Sequence, residues 1–206
     1  MGMDIMQTAS EKKDISFFDR ITMPLCRIKA EKVEKHARKY INGKVLDIGA
    51  GRCLIAHQVE KENKRRNVKV IPIDVIDVNV TNMKLYLYEG KKLPFKNKSF
   101  DAVMINYVLH HCDNPVKVLK EAIRVCKGNI ILFEDTNMNF IAKSVDSAVN
   151  KLNNDDINTP MNFKTEKQWR ELFKNLKLEI VAVEKNVEKE WFYPFIEHTM
   201  FVVKER

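Results

Sequence analysis

Two groups of residues in this chain carry chemistry by type and spacing. Val45-Leu46-Asp47-Ile48-Gly49-Ala50-Gly51 is an apolar run that delivers a carboxylate and then two glycines one residue apart. It reads as a buried strand ending in a tight turn at one edge of a sheet, where open α/β folds bind nucleotide-like ligands. A dinucleotide fingerprint wants a third glycine to let the next helix pack closely, and Leu54 stands at that position. Asp47 would also repel a pyrophosphate seated at the helix N-terminus. A carboxylate there suits a ligand with an ammonium group. The second group is His110-His111-Cys112-Asp113. Histidine titrates near neutral pH and can accept a proton from a reacting group. Adjacent side chains diverge, so the four do not read as a metal site and no metal is expected.

These residues need a scaffold, and the surrounding pattern supplies one. Phe17, Phe18, Ile21, Leu25 and Ile28 give an apolar helical face, continued by Val33, Ala37, Tyr40 and Ile41, and Asn42-Gly43 closes the helix. A first strand covers Lys44 to Ile48. Leu54, Ile55, Gln58, Val59 and Glu62 line one face of the next helix, and Val68 to Asp74 is a second β-branched run ending in an acid. Lys84 to Tyr88 alternates as a third strand, closed by Glu89-Gly90, and Phe100 to Tyr107 is a fourth. Pro115 opens a helix whose buried face is Val118, Leu119, Ala122, Ile123 and Val125, and Gly128 is expected to end it before a strand from Asn129 to Glu134. Thr136 to Phe163 is polar, with a helical stretch near Ile141 to Leu152, and reads as a lid or substrate segment. Trp169, Leu172, Phe173 and Leu176 form the apolar stripe of a further helix. A strand near Leu178 to Val187 and a last one from Thr199 to Val203 are joined through Trp191, Phe192, Tyr193 and Pro194, a connection short enough to make them antiparallel. Alternating strands and helices predict a mostly parallel sheet with right-handed crossovers. The organisation expected is a helical extension over 1–43 and one compact domain over 44–206.

Composition sets the bounds. With 206 residues, 45% of them hydrophobic, the chain buries a core without disulfide or metal staples. No apolar run approaches the ~20 residues of a membrane span, and the first residues lack the apolar centre of a signal peptide. Cys26, Cys53, Cys112 and Cys126 show no C-x-x-C spacing and read as thiols in a reducing compartment. A cytoplasmic protein without membrane contact, monomeric or homodimeric, is the expectation. The net charge of +8 admits an anionic substrate or nucleic acid. No aromatic-interleaved basic motif accompanies it, so nucleic acid is not favoured.

In motif order the chain resembles the class I S-adenosylmethionine-dependent methyltransferases, in particular the methyltransferase type 11 family. The residues that carry the resemblance are the Val45 to Gly51 turn, Asp74 at the end of the second strand, Leu93-Pro94-Phe95, Ser99-Phe100-Asp101, and Glu121 to Val125 before the fifth strand. The resemblance implies an α/β, Rossmann-like three-layer sandwich, its sheet seven-stranded and mostly parallel with an antiparallel last strand. It implies S-adenosylmethionine as cofactor. Gly49, Ala50 and Gly51 would admit its methionine end, Asp47 would support the amino group, and Asp74 would accept both ribose hydroxyls. Val75 with Ile76 would flank the adenine, Glu89 with Gly90 would reach its amino group, and the backbone of Asn106 would face the methionine moiety. Cys53 stands where the family often has glycine, and Glu89 replaces the commoner Asp.

Methyl transfer needs alignment of nucleophile, methyl and sulfur, with a base only when the acceptor must lose a proton. His111, His110 and Tyr107, just past the fourth strand, are the candidates on the acceptor side. Glu134 and Asp135 are further strand-end residues there, and no partner is evident for His198 or His57. The expected activity is methyl transfer to a small-molecule acceptor. The alternatives are an RNA or protein methyltransferase using basic surface and a non-catalytic cofactor-binding relative.

Overall fold

A computed structural model describes residues 6–7, 17–136, 162–187 and 197–206 of the chain. The stretch from Ile141 to Leu152 and the cluster Trp191, Phe192, Tyr193 and Pro194, both singled out in the sequence, lie outside the described residues. The elements run β1 (Met6–Gln7), α1 (Phe17–Ala37), β2 (Lys44–Ile48), α2 (Leu54–Glu62), β3 (Lys69–Asp74), β4 (Tyr86–Leu87), β5 (Phe100–Asn106), α3 (Pro115–Val125), β6 (Cys126–Asp135), α4 (Glu166–Asn175), β7 (Leu178–Lys185) and β8 (His198–Glu205).

The strands form one sheet in the order β1-β4-β3-β2-β5-β6-β8-β7. β4, β3, β2, β5 and β6 are parallel, β8 runs antiparallel to both β6 and β7, and the two-residue β1 is antiparallel to β4 at the edge. This is the mostly parallel seven-stranded sheet expected from the sequence, with β1 added. A parallel sheet covered on both faces needs strands apolar throughout, which is why β2 and β5 are buried almost along their whole length. One face packs Leu46, Ile73, Val103, Ile105 and Leu132 against α3 and α4, including Leu119, Trp169 and Phe173. The other packs Val45, Val70, Met104 and Phe133 against α1 and α2 through Val33, Ala37, Ala56 and Val59. The second half of α1 thus shares a core with the sheet.

Two local expectations fail. The third strand, expected over Lys84 to Tyr88, pairs at only two positions, Ile73↔Tyr86 and Asp74↔Leu87. Past Leu87 no β3 residue remains, because β3 ends at Asp74, and on the other side Leu85 would oppose Pro72, which has no N–H to donate to the ladder. Gly128 does not end the α3 helix: Cys126 already begins β6. Glycine is required there because a Cβ at 128 would run into the Asp101 backbone carbonyl. Around the same point the β5/β6 register shifts between Phe100 and Ala102. Among the described residues no helix is long and apolar enough to cross a membrane.

Candidate functional site

β2 sits between β3 and β5, so the sheet order reverses beside it, and the C-terminal ends of these strands open a crevice. The turn after β2 is pinned to β3: the Gly49 and Ala50 N–H groups both donate to the Ile73 carbonyl, at 2.8 and 3.2 Å. Gly49 (φ +72°) and Gly51 (φ +51°) are both left-handed. A Cβ on Gly49 would collide with the Val108 side chain, whereas a Cβ on Gly51 would meet nothing within 4 Å. Gly51 therefore faces open space, as a backbone cradle for a ligand does. Cys53, at the position where the resemblance leads one to expect a glycine, is itself left-handed at φ 58° and buried. The backbone keeps the shape glycine would take, at a cost of roughly 1–2 kcal/mol.

Two carboxylates flank the cradle. Asp47 is 1% exposed and accepts a hydrogen bond from Asn106 Nδ2 at 2.8 Å. Burial pushes its pKa up to about 7, against the pull of the Asn106 bond, and the neighbouring Asp74 charge adds to the rise. Asn106 Oδ1 is buried with no hydrogen-bond partner among the described residues. The Asp74 carboxyl group accepts Gly51 N–H on Oδ2 at 2.7 Å and Val75 N–H on Oδ1 at 2.6 Å. Its pKa is raised by burial in spite of these bonds. A buried carboxylate and an unsatisfied amide oxygen on one wall form an acceptor-only pair, which calls for a cationic donor. The ammonium group of the cofactor's methionine end is such a donor, so these residues fit the group.

The crevice is a cavity of about 1030 Å³, and its wall brings together most of the residues singled out in the sequence: Asp47, the Gly49 to Gly51 turn, Asp74, Val75, Gly90 and Asn106. Tyr107 and His111 line it as well. Two do not face it. The Glu89 side chain is 86% exposed and lies 3.7 Å from Lys91 Nζ, so the strand-exit loop turns it to solvent while Tyr88, Gly90, Lys91 and Lys92 around it line the cavity. His110 is buried, its Nδ1 2.7 Å from Glu134 Oε2 and its ring stacked on Phe163 at 4.6 Å. Glu134 also takes the Leu109 N–H, at 2.9 Å, which makes it a brace for the 109–111 turn. His111 Nδ1 is buried with no partner among the described residues. Burial, the neighbouring His110 and Lys29 lower its pKa to about 4, against a smaller opposing pull from Asp135.

Other residues at this end gave no sequence signal. Cys26 and Lys29, on α1, line the cavity, and Lys29 Nζ lies 3.3 Å from the centre of the Tyr107 ring. His198 has a partner after all, Asp135 Oδ1 at 2.6 Å and 63 residues away in the chain. His198 Nδ1 on β8 meets this carboxylate because the two residues are directly paired in the antiparallel ladder. Among the described residues no group of three or more His, Cys, Asp or Glu side chains is arranged to hold a metal ion.

Comparison with known proteins bears on the fold and the domain family. Residues 46–133 match the family described as a methyltransferase domain. An uncharacterized protein of Methanocaldococcus jannaschii, MJ1123, is 27% identical over 195 residues, covering 91% of this chain and 87% of that protein. The ubiquinone/menaquinone biosynthesis C-methyltransferase UbiE of Rickettsia typhi is 33% identical over 111 residues, which is 46% of this chain and 45% of that enzyme. The solved structure of a SAM-dependent methyltransferase from Aquifex aeolicus superposes with a TM-score of 0.64 at 18% identity, covering 93% of this chain and 99% of that one.

Proposed function

We propose that the chain, whose residues 46–133 match the methyltransferase domain family, is a class I S-adenosylmethionine-dependent methyltransferase, and that it methylates a small molecule bound beside Tyr107 and His111. The observation that carries the placement of the cofactor is the unsatisfied Asn106 Oδ1 next to the buried Asp47 carboxyl group. Together they hold the ammonium group. Asp74 keeps a free lone pair on Oδ2, and on Oδ1 its second backbone bond, from Ile76 N–H, is long at 3.4 Å, which leaves the carboxylate able to accept the ribose hydroxyls. Val75 and Ile76 flank the adenine, with the Gly90 backbone beside it.

The bound cofactor supplies a methyl group activated by a sulfonium. The chain's own share is alignment and exclusion of water. A cavity of about 1030 Å³ lies at the upper end of the range usual for small-molecule sites and leaves room for an acceptor next to the cofactor. His111 is neutral near pH 7, and with a pKa of about 4 it is a weak proton sink. It therefore positions the acceptor through its unpaired nitrogen, and suits a nucleophile that arrives ionised or has no proton to lose. UbiE, to which the chain is similar over part of its length, is by name a C-methyltransferase of quinone biosynthesis, in keeping with a small acceptor.

Tritiated S-adenosylmethionine, incubated with the protein and separately with low-mass metabolite, RNA and protein fractions, tests the reading. Label in the low-mass fraction is the expected result. Label confined to RNA or protein would replace the acceptor class, and cofactor binding with no label anywhere would mark a non-catalytic relative.

A further inference from the structure

Little in the His111 side chain fixes where it stands. Its Nδ1 is buried with no partner among the described residues, and its ring leans on that of His110, 4.0 Å between centres at 52°. The backbone therefore has to place it. The His111 N–H donates to the Val108 carbonyl at 3.0 Å within the tight 109–111 turn. Asn162, 50 residues after Cys112 in the chain, holds the carbonyls on either side of His111. Its N–H donates to the His110 carbonyl at 2.8 Å, and its Nδ2 donates to the Cys112 carbonyl at 2.9 Å. Phe163, next in the chain, stacks on the same His110 ring against which His111 leans, 4.6 Å between centres at 22°.

This clamp is rooted in a fixed element. Thr165 Oγ1 accepts the Gln168 N–H at 3.3 Å and Gln168 Oε1 accepts the Thr165 N–H at 2.8 Å, a reciprocal pair that fixes the direction in which the chain enters α4. Trp169 then anchors α4 in the core, 1% exposed. From the opposite side Glu134 braces the turn at Leu109 and His110. Asn162 extends the support past His111 to Cys112, and both of these residues line the cavity. Asn162 itself is not part of the cavity wall.

We infer that Asn162 is a positioning residue for methyl transfer: by holding the carbonyls before and after His111, it sets where the imidazole meets the acceptor. This rests on the methyltransferase reading above, in which His111 faces the acceptor, and adds to it the residue that aims the ring. Bonds to both flanking carbonyls fix the peptide groups around His111, and so the direction in which its side chain leaves the backbone. Without the amide, the support on the Cys112 side of His111 is lost. An aligning group displaced by about 1 Å costs up to about a hundredfold in rate.

The test compares wild type, Asn162→Ala and Asn162→Gln as whole proteins, with tritiated S-adenosylmethionine as methyl donor and the low-mass metabolite fraction as acceptor. Asn162→Ala is expected to transfer label about tenfold more slowly at unchanged S-adenosylhomocysteine affinity. Asn162→Gln, which keeps an amide donor on a longer arm, should fall between the two. Nitrogen-15 spectra should show the His111 ring resonances displaced in Asn162→Ala, a change that lower stability alone would not produce. The inference is overturned if Asn162→Ala keeps the wild-type rate, if its S-adenosylhomocysteine affinity falls as far as its rate, or if the His111 resonances do not move. Should Asn162→Ala not fold, Asn162→Gln decides: a reduced rate at unchanged affinity supports the assignment, and the wild-type rate overturns it. Wild type that binds S-adenosylhomocysteine but labels nothing in the low-mass fraction overturns the acceptor reading, and wild type that does not bind it overturns the cofactor reading, each taking this inference with it.

Discussion

Asp74 Oδ2 accepts the backbone N–H of Gly51 at 2.7 Å, so the carboxylate expected to bind ribose also fixes the turn expected to cradle the methionine end. β3 and the loop after β2 are thereby one unit, and damage to either appears in both.

Asp74→Ala should therefore have two effects. It leaves the Gly51 and Val75 N–H groups without their acceptor, lowering stability by about 1–3 kcal/mol, and it weakens cofactor binding by about a hundredfold, the value of two strong hydrogen bonds to a charged group. Calorimetric titration with S-adenosylmethionine and a thermal melt measure the two. Unchanged affinity would sink the ribose assignment.

The two glycines should separate cleanly. Gly49→Ala drives a Cβ into Val108 and should lower the melting temperature strongly. Gly51→Ala has open space for its methyl and bears only the left-handed backbone cost, roughly 1–2 kcal/mol, but the methyl projects into the cavity. We expect a folded Gly51→Ala protein with much weaker cofactor binding, seen by circular dichroism and titration. Normal affinity would mean that nothing sits against residue 51.

Asp47 gives a pH signature. Its pKa in the fold, about 7, lies above the ordinary value of 3.8, so its contribution favours the fold below about pH 4 and is withdrawn as pH rises through 7. Relative to Asp47→Asn, the ligand-free wild type should lose melting temperature between pH 4.5 and 8. Cofactor affinity should rise across the upper part of that window in wild type and stay flat in Asp47→Asn, because an ammonium binds the ionised carboxyl. Parallel curves for the two proteins would remove Asp47 from the ammonium site.

His111, with a pKa near 4, should remain neutral at pH 6. Its depressed value means that the stability it contributes is complete above about 6.5 and is lost as pH falls through 4. Nitrogen-15 spectra of the labelled protein check this directly. His111→Gln should bind cofactor normally and turn over about 10–100 times more slowly if the imidazole positions the acceptor. Undiminished turnover would move the acceptor elsewhere in the cavity.

What the sequence made legible was local in origin. Asp47, Gly49, Gly51 and Asp74 were readable because strand, turn and acid follow one another within a few residues, and the mostly parallel sheet followed from the regular alternation of elements. Gly128 was misread because its requirement is set across the sheet by Asp101, and no helix-ending rule sees a neighbouring strand. Glu89 looked like a cofactor ligand by position, but the direction of its side chain depends on a loop whose path leaves it 86% exposed beside Lys91. Lys29 and the Asp135–His198 pair depend on contacts between segments distant in the chain, and no spacing rule reaches that far.

The cavity wall around Tyr107 is assembled from parts held with unequal firmness. The 109–111 turn is riveted to β6 through both oxygens of Glu134, and replacing it would expose a buried carboxylate and a buried histidine together. The middle of α1 is held by weaker contacts: it contributes Cys26 and Lys29 to the cavity, with Lys29 over the Tyr107 ring and Cys26 accepting from Arg52, while Leu25 and Ile28 on the same stretch stay exposed. A substitution on this stretch of α1 therefore reshapes that wall, as a tool changes its bit, while the glycine cradle and its acids stand still.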